Sequence, residues 1–232
     1  MARQKRLSAP GIVKMERKGE RFITSTSPGP HSKTVSVSLL YVIRNMLGWA
    51  ENAREARKLI TSGAVKVDGK VQRERNFPVG LMDVIEIGDE KYRMLIGERG
   101  FYLSGLDQKN SNKKLLRVTG KSNVKGGSYQ IHFHDGSNML ADKNEYDTGS
   151  VVLLNIAEKT VESVLPLERG SEVMVVEGKN RGMKGTVVEI NQRKTMLHRS
   201  FAVVRSGKGK KEVPLDYVFV VGTEIGDDNA NA

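Results

Sequence analysis

Apolar residues recur with a helical period over two adjacent stretches in the first third of the chain. Leu39, Leu40, Ile43, Met46, Leu47 and Ala50 form one stripe, with Gly48 and Trp49 marking its break. At about 100° per residue, Ala53, Ala56, Leu59 and Ile60 fall on one side of a second helix. Arg54 and Lys58 lie opposite, and Arg57 is near the boundary. Asn52 can cap this helix, Glu55 completes a capping box, and Gly63 stands where a helix stops. Two helices packed on their apolar sides leave the cationic side of the second facing outward.

The period then changes to two. Ala64-Val65-Lys66-Val67 alternates, Asp68-Gly69 signals a type I′ turn, and Lys70-Val71-Gln72-Arg73 returns. Asp83-Val84-Ile85-Glu86-Ile87 adds a further strand and closes a small sheet. Farther on, Tyr129 to His134 alternates, so Ile131 and Phe133 face a core while His132 and His134 share the other face. Two histidines at that spacing could ligate a metal, but no third ligand accompanies them, and a solvated or RNA-facing pair is the expectation. Val151–Leu154 and Val161–Leu165 read as strands, giving a β-rich middle. From 170 to 190, Val173, Val175 and Val187 fit two strands of a small barrel. Gly178, Gly182 and Gly185 between them permit a tight loop with positive φ, from which Lys179, Arg181 and Lys184 project. The first ten residues lack apolar periodicity, and Ser27-Pro28-Gly29-Pro30-His31-Ser32 forces an extended, turn-rich path.

Charge sharpens this picture. The formal net charge is +11 and the pI about 9.8, which suits a polyanionic partner. Residues 1–34 carry 8 basic and 2 acidic side chains, and residues 169–213 carry 11 and 4. The intervening 106–168 is balanced at 8 and 8, and 214–232 holds 4 acids and no base. A basic arm without its own core can thread along phosphates and become ordered on binding.

At 232 residues the chain has room for two or three small domains. There is no cysteine, which excludes disulfides and cysteine-based zinc sites. No apolar run approaches the roughly 20 residues of a bilayer-spanning helix, and the charged start has no apolar core of a secretory signal, so a soluble intracellular protein is expected. Gly120-Lys121-Ser122 mimics the end of a phosphate-binding loop, but Leu115 occupies the position of its first glycine. Nucleophile-elbow, dinucleotide and zinc-protease signatures do not occur, and no cofactor or enzymatic activity is expected.

The run Ala56-Arg57-Lys58-Leu59-Ile60-Thr61-Ser62-Gly63-Ala64-Val65-Lys66-Val67-Asp68-Gly69-Lys70, followed by Asp83-Val84-Ile85, resembles the core of the S-four RNA-binding domain. Asn52 stands where many such domains have serine and should still cap the helix. Gly178-Lys179-Asn180-Arg181-Gly182-Met183-Lys184-Gly185 with its flanking valines resembles the KOW motif, found in several ribosomal proteins and in transcription elongation factors of the NusG type. The full order also includes Lys5-Arg6-Leu7-Ser8-Ala9-Pro10 and Pro28-Gly29-Pro30-His31. It resembles the archaeal and eukaryotic small-subunit ribosomal protein family S-four-e, and the acidic, asparagine-containing end leans archaeal.

That resemblance implies an α+β, multi-domain chain: a basic extended arm (1–35), an S-four-type αα-β domain (36–105), a β-rich central domain (106–168), an SH3-like KOW barrel (169–222) and an acidic flexible tail (223–232). It implies a structural constituent of the small ribosomal subunit, with ribosomal RNA and neighbouring ribosomal proteins as partners and no membrane or small-molecule substrate. The expected RNA contacts are Arg3, Lys5, Arg6 and His31 in the arm, and Arg54, Arg57, Lys58, Lys70, Arg73 and Arg75 in the S-four-type domain. Lys179, Arg181 and Lys184 complete the set in the KOW loop. Two rivals are an RNA-modifying enzyme and a transcription factor of NusG type. The 63 residues of 106–168 are too few for the catalytic domain that the first would need, and the order of parts disfavours both.

Overall fold

A computed structural model describes residues 3–16, 18–107, 112–192, 199–207 and 209–222, with the backbone but not the side chain of Arg3. The expected acidic tail, 223–232, lies outside these residues. The described chain is mostly β with two short α-helices, and it divides into two units. Among the described residues the first comprises the chain up to Lys114 with Ile156–Glu158, and the second Leu115–Asn155 with the chain from Lys159 to Gly222.

In the first unit the arm is folded. Strand β1 (Arg3–Lys5) pairs antiparallel with β2 (Phe22–Thr24), in the register Arg3 to Thr24 and Lys5 to Phe22. Ala9, Ile12 and Val13, a short apolar set without periodicity, are buried. The Phe101 N–H donates to the Ile12 carbonyl at 2.9 Å. Gly100 permits this approach, because a Cβ there would lie 2.2 Å from that oxygen. The arm therefore takes its core from the body of the unit rather than from its own sequence.

Strand β3 (Val37–Ser38) leads into α1 (Leu39–Tyr41), which continues as a π-helical turn over Val42–Met46. The Leu47 N–H donates to the Val42 carbonyl and the Trp49 N–H to that of Ile43, and Gly48 follows with φ +70°. Leu39 to Ile43 are all buried, so this element is covered on every side instead of presenting one stripe. Helix α2 (Ala53–Ser62) contacts it. Beyond α2 come β4 (Val65–Val67), β5 (Lys70–Val71), β6 (Pro78–Val79), β7 (Val84–Ile87), β8 (Glu90–Gly97) and β9 (Gly100–Gly105). Strand β6 pairs with β3, and the others form an antiparallel sheet in the order β5-β4-β7-β8-β9. Val65 and Val67 are buried while Lys66 between them is exposed, as period-two alternation requires.

The second unit holds two five-stranded sheets. The first runs β10 (Lys113–Asn123), β11 (Tyr129–Phe133), β12 (Asn138–Ala141), β13 (Val151–Asn155) and β14 (Val161–Leu165), in the order β12-β11-β10-β13-β14. Its core is Leu116, Val118, Ile131, Phe133 and Val152. The other contains β15 (Glu172–Val175), β16 (Lys184–Asn191), β17 (Phe201–Ser206), β18 (Gly209–Pro214) and β19 (Val218–Val220), ordered β18-β17-β16-β15-β19. Val173, Val175 and Val187 are buried there, on the strands their alternation predicts.

Candidate nucleic-acid interface

The cap of α2 is built from its own sequence. The Asn52 side-chain oxygen accepts from the N–H groups of Arg54 and Glu55, each at 3.0 Å. Glu55 reaches back to accept from the Asn52 side-chain amide at 2.6 Å and from the Glu51 N–H at 3.1 Å. The reciprocal bond of the box thus goes one residue before the cap. Gly63 ends the helix at φ +86°, with its N–H on the Ile60 carbonyl. Ala56 and Ile60 are fully buried and Leu59 half-buried, while Ala53 is exposed at the helix start. Arg54, Arg57 and Lys58 all face solvent.

The hairpin continues this surface. Asp68 and Gly69 have φ +48° and +71°, the two positive values of a type I′ turn. Lys70 and Arg73 are exposed and Arg75 is half-buried. The Arg73 guanidinium lies against Gly63: a Cβ at that glycine would sit 3.4 Å from its Nε and Nη2. A cation is thereby placed at the negative end of the α2 dipole, and helix end and hairpin arm are joined. Lys66, exposed on β4, adds a cation to the same segment that the alternation of its strand does not mark out.

Behind the turn is a buried ionic network. The Lys114 ammonium donates to Asp83 at 2.8 Å and to Asp68 at 2.6 Å, and the His31 Nε2 is 3.0 Å from both Asp83 oxygens. The Gly80 N–H donates to Asp83 at 2.8 Å, and the Val84 N–H to Asp68 at 2.9 Å. Burial alone would raise Asp83, but Lys114 and His31 outweigh it and hold the carboxyl well below the usual range. Asp68 is pushed up to about 6 by burial first and then by the Asp83 charge, against Lys114 and the Val84 N–H. His31 is 4% exposed, packed where a Gly80 Cβ would clash, and its ring is directed inward to Asp83.

Arg6 is also turned inward. Its side chain is 13% exposed and donates to the Glu16 carbonyl at 2.8 Å, with Glu20 at 3.5 Å. Lys5 is exposed, and the Arg3 side chain lies outside the described residues.

In the second unit, Gly178 and Gly182 have φ +81° and +78° and shape the loop from β15 to β16. Gly185 serves otherwise: a Cβ there would meet the Arg205 carbonyl of β17 at 2.3 Å, so its role is close strand approach rather than positive φ. Lys179 and Lys184 are exposed and Arg181 is half-buried. Lys211 of β18 donates to the Asn180 side chain at 3.1 Å, bringing the exposed Arg205, Lys210 and Lys211 beside this loop. These three lie outside the glycine-rich motif, and only the charge of the 169–213 block signals them in the sequence. His132 binds Asn138 at 2.7 Å and Ser122 at 2.8 Å, and His134 Nδ1 accepts from the Arg117 N–H at 3.1 Å. Among the described residues no group of three or more potential metal ligands converges.

Four family models match the chain in succession: the RS4NT (NUC023) domain at 2–34, the S4 domain at 39–85, the ribosomal family S4e at 88–161 and the KOW motif at 169–205. Small ribosomal subunit protein eS4 of Methanothermobacter thermautotrophicus is 39% identical over 225 residues, 95% of this chain and 92% of that one. The eS4 protein of Pyrobaculum neutrophilum is 40% identical over 232 residues, 97% of each chain. The crystal structure of the 30S ribosomal protein S4e from Thermoplasma acidophilum superposes with a TM-score of 0.71 at 29% identity, covering 82% of this chain and 96% of that one. A basic helix and hairpin, a glycine-shaped basic loop and this run of similarity together place the chain in the small ribosomal subunit protein eS4 family.

Proposed function

We propose that the protein is a structural constituent of the small ribosomal subunit and takes part in translation by binding ribosomal RNA, without enzymatic activity. The observation that carries this reading is the α2–hairpin surface, where Arg54, Arg57, Lys58, Lys70 and Arg73 are exposed beside a helix that is capped and packed from behind. Guanidinium and ammonium groups held this way suit the phosphates of an irregular RNA helix, whose shape a rigid surface can follow. Lys5, Lys179, Lys184, Lys210 and Lys211 supply further contacts on other parts of the chain, and several weak grips on one RNA raise the overall affinity.

The reading keeps the domain order of arm, S-four-type domain, β-rich centre and KOW barrel, with ribosomal proteins as neighbours on the cytoplasmic ribosome. His31 leaves the set of RNA contacts and Arg6 becomes a structural residue of the arm. Sucrose-gradient sedimentation of cell extract at mild salt tests the role. The protein is expected in the small-subunit fractions, and recovery only at the top of the gradient would count against it.

A further inference from the structure

A cleft of about 500 Å³ opens within the second unit, between β10 and the helical turn Leu215–Tyr217 that precedes β19. That volume suits a small organic ligand. The register of β10 against β11 shifts between Val118 and Gly120, a bulge of the kind that redirects side chains beside a site.

Arg117 lines the cleft and is the unusual group there. Its guanidinium donates to the main-chain carbonyls of Asp216 and Val218, the latter at 3.2 Å. Both partners are neutral dipoles, and among the described residues no carboxylate oxygen lies within ion-pair distance of it. Burial lowers its pKa, opposed by the charges of Asp216 and Glu177, yet an arginine remains cationic. A partly buried cation without a contacting counter-charge favours an anion. Arg199 is a second arginine lining the same cleft, Leu167 and Leu215 are its two leucines, and Asp216 is its one acidic residue. For phosphate alone the leucines and the carboxylate are superfluous or adverse. For a nucleotide each has a partner: the arginines for the phosphate, the leucines for a face of the base, and the carboxylate for a ribose hydroxyl or an amino group.

We propose that this cleft is a nucleotide subsite, which receives one unstacked residue of the RNA with its phosphate on Arg117 and Arg199. The proposal rests on the RNA-binding role above and adds base-level contact to a protein otherwise gripping phosphates; unpaired, splayed bases are the usual targets of such contact.

Titration of nitrogen-labelled full-length protein with adenosine and uridine 5′-monophosphates, and separately with inorganic phosphate, tests it by chemical-shift mapping. Saturable shifts grouped at Arg117, Thr148 and Ser200 are expected with a nucleotide, and affinity about tenfold weaker with phosphate. Thr148→Glu, at an exposed cleft position, should weaken nucleotide binding about tenfold through like-charge repulsion and leave the melting temperature unchanged. Arg117→Lys keeps the charge, loses the guanidinium fork and should weaken binding as well. Equal shifts from phosphate and nucleotide, shifts spread over the whole basic surface, or an inert Thr148→Glu would overturn the subsite. A ribosomal RNA helix titrated in parallel separates the two readings. If the helix binds and the nucleotides do not, the subsite alone fails; if neither binds, the RNA-binding role fails with it.

Discussion

The N-terminal arm and the α2–hairpin segment are both rich in arginine and lysine, and the fold uses those cations in opposite ways. Arg6 and His31 turn inward, onto Glu16, Glu20 and Asp83, and fasten the arm to the first unit. Arg54, Arg57, Lys58 and Lys70 turn outward from a capped, apolar-backed helix and from a turn whose own carboxylate, Asp68, is already taken by Lys114. Positive charge in a sequence is therefore not the same as charge available to RNA. What decides is whether an acid or carbonyl elsewhere in the fold has already taken it. The buried network at Lys114 joins the two regions, since one ammonium bridges the carboxylate that holds His31 to the one that forms the hairpin turn.

Removing that bridge should have the largest effect on the comparison. Lys114→Met leaves Asp83 and Asp68 facing each other without their cation, and chemical denaturation should show a loss of about 3–5 kcal/mol. A loss below 1 kcal/mol would mean that the network is neutralised by other means and does not couple arm to hairpin. Arg6→Ala comes next. It deletes a charged donor to a carbonyl and should cost about 1.5–3 kcal/mol of stability while the salt dependence of RNA binding stays the same. The opposite pattern, weaker salt dependence at unchanged stability, would return Arg6 to the RNA contacts and erase the contrast. Asn52→Ala removes the acceptor for two helix N–H groups and should cost about 1 kcal/mol, read as a lower midpoint in urea.

The subtlest effect is on the pH profile. Asp68 is raised to about 6, so the native state holds its proton over a range where the unfolded chain has released it. Its contribution to stability is full below the ordinary aspartate pKa of 3.8 and is lost as pH rises through about 6. Asp83 is lowered, so its contribution is present above 3.8 and disappears as pH falls. The network should favour folding most near pH 4 and lose part of that stability as pH rises to about 6, and Asp68→Asn should flatten this decline. Matching slopes for wild type and variant between pH 4 and 7 would contradict this assignment.

Local chemistry was legible in the chain. Asn52, Glu55 and Gly63 mark a helix through interactions spanning a few residues, and Asp68-Gly69 marks its turn by the φ values it tolerates. The same holds for the valines and glycines around 173–187, apart from Gly185, whose reason lies on another strand. Long-range partnerships were not legible. His31 and Asp83 are 52 residues apart, and Lys114 lies 31 and 46 residues from its two carboxylates. No periodicity links such positions, so His31 read as a turn residue near a basic arm. The continuous burial of Leu39 to Ile43 was equally hidden, because the apolar stripe predicts one covered face and carries no sign that the arm packs on another.

The central claim is that the α2–hairpin surface grips RNA phosphates. The direct test is the affinity of wild type and of Arg57→Ala/Arg73→Ala for a small-subunit ribosomal RNA fragment, measured across a series of salt concentrations. Wild type should show a steep logarithmic dependence, and loss of two phosphate contacts should reduce its slope by about one to two units, with the circular dichroism spectrum unchanged. An identical slope and affinity in a natively folded double variant would contradict the account.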